Sequence, residues 1–120
     1  MKDTTYSAAQ ALAERVRDTM FATDKAAHAL GMEVTAVTPG HASVAMTVRA
    51  DMLNGFGICQ GGLIATLADM AFAYACNSYN ELTVASGFDV DLLGPGKLGD
   101  RLTASRDELQ ALPLDRESDV

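Results

Sequence analysis

Residues 54–80 read N-G-F-G-I-C-Q-G-G-L-I-A-T-L-A-D-M-A-F-A-Y-A-C-N-S-Y-N, and the rest of the chain has to be arranged around them. Asn54, Gly55 and Gly57 keep the start irregular, because glycine reaches backbone angles that other residues avoid. Residues 63–76 are apolar on every side and rich in alanine, the best helix former, which predicts a helix. A helix without a polar face has to be covered all round. One charge interrupts it, Asp69. Burying an ionised carboxylate is costly unless a partner meets it. No basic residue lies between Asp51 and Gly96, so none nearby in sequence can pair with Asp69. A lone acid in such a helix points to a site.

The spacing N-G-(x)4-Q-G-G-(x)6-D, followed by A-F-A-Y-A-C-N-S-Y-N, resembles the PaaI-type thioesterases of the hotdog-fold superfamily. Their usual form is N-x-(x)4-H-G-G-(x)6-D with a closely similar alanine-rich continuation. The likeness spans residues 20–104. It implies an α+β hotdog fold, in which an antiparallel sheet wraps a long central helix. It also implies an acyl-CoA thioesterase acting on aryl-acetyl groups, such as phenylacetyl-CoA or its hydroxylated derivatives. Such enzymes need no cofactor, coenzyme A being part of the substrate, and work as homodimers or homotetramers.

Composition sets bounds that agree. The chain has 120 residues, enough for one small domain with a core. A formal charge of −7 argues against nucleic acid and anionic membrane surfaces as partners. A polyanionic ligand such as acyl-CoA is still compatible where a local basic patch or backbone N–H groups meet its phosphates. Cys59 and Cys76 are too few for a disulfide framework and read as reduced thiols of a cytoplasmic protein. Cys59 precedes a helix N-terminus, a position that can lower a thiol pKa, but His28 and His41 belong to other elements. The N-terminal residues lack a basic start followed by an apolar run, so no signal peptide is expected. The apolar helix is too short to span a bilayer and carries an acid at its middle.

Taken in order, Ser7 and Gln10 fit a capping box that opens a helix running to Phe21. Asp24 can cap a short second helix, ended by Gly31. The resemblance makes Met20 and Phe21 candidate lining residues of the acyl pocket. Residues 32–38 and 42–49 read as two strands around the turn Pro39-Gly40-His41, with Val44, Met46 and Val48 on a core face. His41 is expected to be solvated at the turn tip. Residues 82–92 alternate as a strand, Gly94-Pro95-Gly96 breaks it, and another strand runs from 101 to 105. Residues 1–105 therefore read as the hotdog domain and 106–120 as an atypical tail. The tail, R-D-E-L-Q-A-L-P-L-D-R-E-S-D-V, does not alternate and departs from the two strands the family carries there. Their loss would leave unpaired sheet edges.

The expected chemistry centres on the helix start. If the helix begins near Gly61, the N–H groups of Gly61 and Gly62 have no partner within it and lie at the positive end of its dipole. Donors so placed can hold the developing oxyanion of a thioester. Asp69 is eight residues later, about 12 Å along a helix. A twofold mate closes that gap, and the resemblance implies that Asp69 of one subunit serves Gly61 of the other. Asp69 then acts as general base, or attacks directly through an anhydride. Asn54 is retained from the family pattern and can orient water or thioester, or simply make a turn. Gln60 replaces the usual histidine and cannot carry a titrating proton. Gly94 stands where an arginine is frequent. Lys97 and Arg101 are the basic residues available for coenzyme A phosphates.

Two other readings compete with this one. One is a non-catalytic acyl-CoA binding protein, favoured by Gln60, or an inactive shortened form of the enzyme, suggested by the atypical tail. The other is a hotdog hydratase, whose helix pattern D-(x)4-H is not met after Asp69. The atypical tail also sets a stability expectation, because small domains are stable by a narrow margin. A chain extended by two family-like strands should melt at a higher temperature than the 120-residue chain. Parallel thermal melts check this, and an equal or higher melting temperature for the shorter chain refutes it.

Overall fold

The structure, a computed structural model, describes residues 7–81 and 94–107. The strand expected over 82–92 and the tail from 108 onward lie outside these residues. Ser7 caps the first helix, α1 (Ala8–Ala22), accepting from the Gln10 N–H at 3.1 Å. Only this half of the expected capping box forms. The Gln10 side chain instead donates to Glu14 and to the Val37 carbonyl, both at 2.9 Å, tying α1 to the sheet. Asp24 caps α2 (Lys25–Ala29) through the Ala27 N–H at 3.2 Å. Gly31, at φ +68°, then turns the chain as a C-terminal glycine does.

Strands β1 (Glu33–Thr38) and β2 (His41–Thr47) form a hairpin through Pro39 and Gly40. Gly40 sits at φ +79°, and its N–H donates to the Ser78 hydroxyl at 2.7 Å. The hairpin is thereby pinned to the end of the central helix. β1 has a bulge between Val34 and Ala36. Val34 and Val37 are an odd number of residues apart, and a regular strand would point them to opposite faces. The extra residue lets both pack on the core.

β2 also pairs antiparallel with β3 (Arg101–Asp107), which gives the order β1-β2-β3. β3 runs two residues past the expected end, so Arg106 and Asp107 belong to the sheet and not to a tail. His41 is not free at a turn tip either. It opens β2, opposite Asp107, with Nδ1 2.8 Å from Oδ1.

The central helix, α3 (Gly61–Asn77), packs on β2 and β3. At 100° per residue, Leu67, Ala71, Tyr74 and Ala75 share one face. They are buried in one core with Met32, Val37, Val44 and Met46. Asp69 lies about 180° away, close to Gly62, Ala65 and Ala73. Ala65, Asp69 and Ala73 are half-buried and Gly62 is exposed. Among the described residues, the all-round cover expected for this helix is thus present on one side.

Tyr74 fastens α3 to the N-terminal helices. Its hydroxyl donates to Asp24 Oδ2 at 2.9 Å, while the other oxygen of Asp24 caps α2. Burial, then the hydrogen bond and negative charge of Asp24, push the Tyr74 phenol above its ordinary range. Tyr74→Phe should cost about 1–2 kcal/mol at neutral pH, read from urea unfolding. The phenol's contribution is complete below the unfolded tyrosine value and declines as pH rises towards the raised folded one. The difference between wild type and Tyr74→Phe should therefore narrow above about pH 10.

Candidate active site

The approach to α3 is a closed loop. Leu53 and Cys59 form an isolated antiparallel bridge, and residues 54–58 turn between them. The Asn54 side-chain oxygen accepts from the Phe56 N–H at 2.9 Å and from the Ile58 N–H at 3.3 Å. The Asn54 N–H donates to the Ile58 carbonyl at 2.8 Å, and Gly57 supplies φ +79°. Asn54 is therefore a turn residue whose carbonyl is engaged. At the loop tip Phe56 is 91% exposed.

Two bonds from distant segments then fix the residues just ahead of the helix. The Cys59 N–H donates to the Gly96 carbonyl at 2.7 Å, and the Gln60 N–H to the Met52 carbonyl at 2.8 Å. Gln60 stands at the N-cap with an exposed side chain that makes no capping bond. Leu63 N–H closes the first turn onto the Gln60 carbonyl at 2.9 Å. Among the described residues, the N–H groups of Gly61 and Gly62 have no acceptor. They are open donors at the positive end of a helix of 17 residues.

Asp69 is two turns further along, on the side of α3 turned away from the sheet. It is half-buried and has no hydrogen bond or ion pair among the described residues. Within one chain it does not meet Gly61 or Gly62, as the helix rise requires. Cys59 is unsuited to attack. Burial pushes its thiol above the ordinary value, the opposite of what a helix N-terminus would do.

The two basic residues separate. The Arg101 guanidinium is engaged on the outer face of the sheet, donating to Thr47 Oγ1 at 3.1 Å and pairing with Glu33. Lys97 sits in a tight turn, where its N–H donates to Asp100 Oδ2 and the Asp100 N–H returns to its carbonyl, both at 2.9 Å. Its side chain is exposed, and it follows Gly96, whose carbonyl holds Cys59. Lys97 therefore stands beside the entry to α3.

Met20 and Phe21 line two separate cavities. Met20 lines an open cavity of about 490 Å³ with Leu12, Val16 and Asn77. Phe21 faces a separate one of about 240 Å³ with Glu33 and Val34, its ring 4.3 Å from that of His28. A third cavity, about 410 Å³, lies between Ile64, Leu67 and Ala68 of α3 and Leu102 and Ala104 of β3. Among the described residues, no cluster of His, Cys, Asp or Glu could hold a metal ion. No helix among them is long and apolar enough to cross a membrane.

Of the residues singled out from sequence, Asn54, Gln60, Gly61 and Gly62 thus assemble at one helix end, with Lys97 alongside. The contact between Gly96 and Cys59 had no sequence signal beyond the Gly-Pro-Gly break, because only folding brings these segments together.

Comparison with known proteins gives concordant matches. The sequence model of the family described as Thioesterase superfamily matches residues 56–105. The acyl-coenzyme A thioesterase PaaI of Escherichia coli (strain K12) is 50% identical over 86 residues, covering 72% of this chain and 61% of that protein. The solved structure of the E. coli PaaI protein from the phenylacetic acid degradation operon has a TM-score of 0.80 at 45% identity. That match covers 82% of this chain and 71% of the other. The TT0310 protein of Thermus thermophilus has a TM-score of 0.66 at 41% identity, over 68% and 69% of the two chains. The chain spans 53–64% of the length of the curated relatives it matches.

The Asn54 loop gives a direct test. Asn54→Ala removes the acceptor for two N–H groups and should cost about 1 kcal/mol in urea unfolding. Asn54→Asp keeps an acceptor at that position and should retain most of that stability. Equal losses for both variants would show that the side-chain oxygen does not hold the loop.

Proposed function

Because the chain belongs to the PaaI-type thioesterases of the hotdog-fold superfamily, we propose that it hydrolyses acyl-CoA thioesters to a free acid and coenzyme A. One observation carries this reading: open Gly61 and Gly62 N–H donors begin the helix whose outward side bears Asp69. Thioester hydrolysis needs both parts. The carbonyl oxygen gains negative charge as water adds, and two backbone donors at a helix N-terminus stabilise it. A carboxylate takes the proton of the attacking water, and the departing thiolate of coenzyme A is protonated as it leaves.

The separation of about 12 Å along α3 calls for a second subunit. In a homodimer or homotetramer with α3 beside its twofold mate, Asp69 of one chain reaches the Gly61 end of the other. Gly62, Ala65 and Ala73 on the outward side are small, which favours close helix packing. Asn54 has its side-chain oxygen occupied, so its amide nitrogen is the group left to orient water or thioester. Gln60 can donate or accept at the same helix end without titrating. Lys97 is the better placed cation for a coenzyme A phosphate, since Arg101 is engaged with Glu33 and Thr47.

The acyl group we infer is aryl-acetyl, on the strength of the operon named for the E. coli PaaI structure. A second reading, an acyl-CoA binder without turnover, draws support from Gln60 in the place of histidine. Purified protein should release free thiol from a panel of aryl and aliphatic acyl-CoAs. Asp69→Asn should lower that rate by about 100-fold or more. Tight binding by calorimetry without thiol release favours the binder, and an unchanged Asp69→Asn rate removes Asp69 from the mechanism.

A further inference from the structure

Resting on the thioesterase reading, we propose that Gly96 is a positioning residue that sets the Gly61 and Gly62 donors. Gly96 is buried, and its carbonyl accepts from the Cys59 N–H at 2.7 Å, two residues ahead of Gly61. Its glycine identity concerns space. Gly31, Gly40, Gly57 and Gly99 need positive φ, whereas Gly96 does not share that conformation. A Cβ built at Gly96 would lie 3.2 Å from Cys59 Cβ and 3.4 Å from Leu102 Cδ1, so a methyl group there pushes on the approach to α3.

The loop is anchored on its C-terminal side. There it is stapled to Val48, the residue just after β2: the Val48 N–H donates to the Asp100 carbonyl and the Gly99 N–H to the Val48 carbonyl, both at 2.9 Å. Leu102 on its other flank belongs to β3, paired with Met46. Of the neighbours of that Cβ, Cys59 is the nearest, and it lies on the approach to α3. Displacing it moves the first N–H groups of the helix relative to a bound carbonyl, and oxyanion stabilisation depends on that distance.

The test compares Gly96→Ala with Gly94→Ala, a substitution in the same loop whose Cβ meets nothing within 4 Å. Amide NMR reports donor placement independently of turnover. Gly96→Ala should shift the Gly61 and Gly62 amide signals and speed hydrogen exchange at the Cys59 N–H, while Gly94→Ala leaves all three unchanged. In steady-state assays with an acyl-CoA, Gly96→Ala should lower kcat about tenfold with little change in KM. In a Cys59→Gly background the new methyl meets no Cβ, and the effect of Gly96→Ala should largely vanish. That background also decides the matter if the single variant folds poorly. Unmoved Gly61 and Gly62 signals, or equal effects of Gly94→Ala and Gly96→Ala, overturn the proposal. A wild type that releases no thiol overturns the thioesterase reading alone, and the amide measurements still decide the role of Gly96.

Discussion

A helix that is apolar on every side lies on a sheet that can cover only half of its circumference, and the molecule is organised by that mismatch. Leu67, Ala71, Tyr74 and Ala75 are buried against the sheet and the N-terminal segment. On the other side, Gly62, Ala65, Asp69 and Ala73 stay at least partly open. Apolar surface left in contact with water is unfavourable in proportion to its area. The inner face thus builds the fold, while the outer face carries the helix's one acid.

Where α3 begins matters as much as what it covers. Two backbone bonds, Cys59 to Gly96 and Gln60 to Met52, come from segments remote from each other in sequence. They place the helix start at the junction of the 94–100 loop, the 3-10 turn Ala50–Met52 and the Asn54 loop. A chain end so constrained keeps its first N–H groups in a fixed direction, as a preorganised oxyanion site requires. Tyr74 and Ser78 fasten the opposite end, through Asp24 and Gly40. With the helix held at both ends, its donors and its acid keep a constant separation.

The polar outer face of the sheet shows what becomes of charges that sequence alone leaves unassigned. His41 meets Asp107, Ser43 meets Ser105 at 2.7 Å, and Arg101 meets Glu33 and Thr47. These are exposed pairs of modest energy. Their bearing on function is indirect. Arg101 is drawn to the outer face by its register opposite Thr47, whereas Lys97 follows Gly96, whose carbonyl holds Cys59.

The sequence by itself determined the central helix, its irregular glycine-rich approach, the hairpin around Pro39-Gly40 and the family, because each rests on local propensity or on spacing within one segment. Ser7 and Asp24 were legible as caps for the same reason, since a cap bonds within three residues. The tertiary structure alone decided that Gln10 reaches Val37, that a bulge turns Val34 inward, that His41 meets Asp107, and that Gly96 touches Cys59. Each of these joins residues far apart in the chain, or depends on a strand register that alternation does not fix. The side of α3 on which Asp69 would stand was likewise hidden. A helix apolar all round shows no polar stripe in its sequence, and only the packed sheet selects which face is covered.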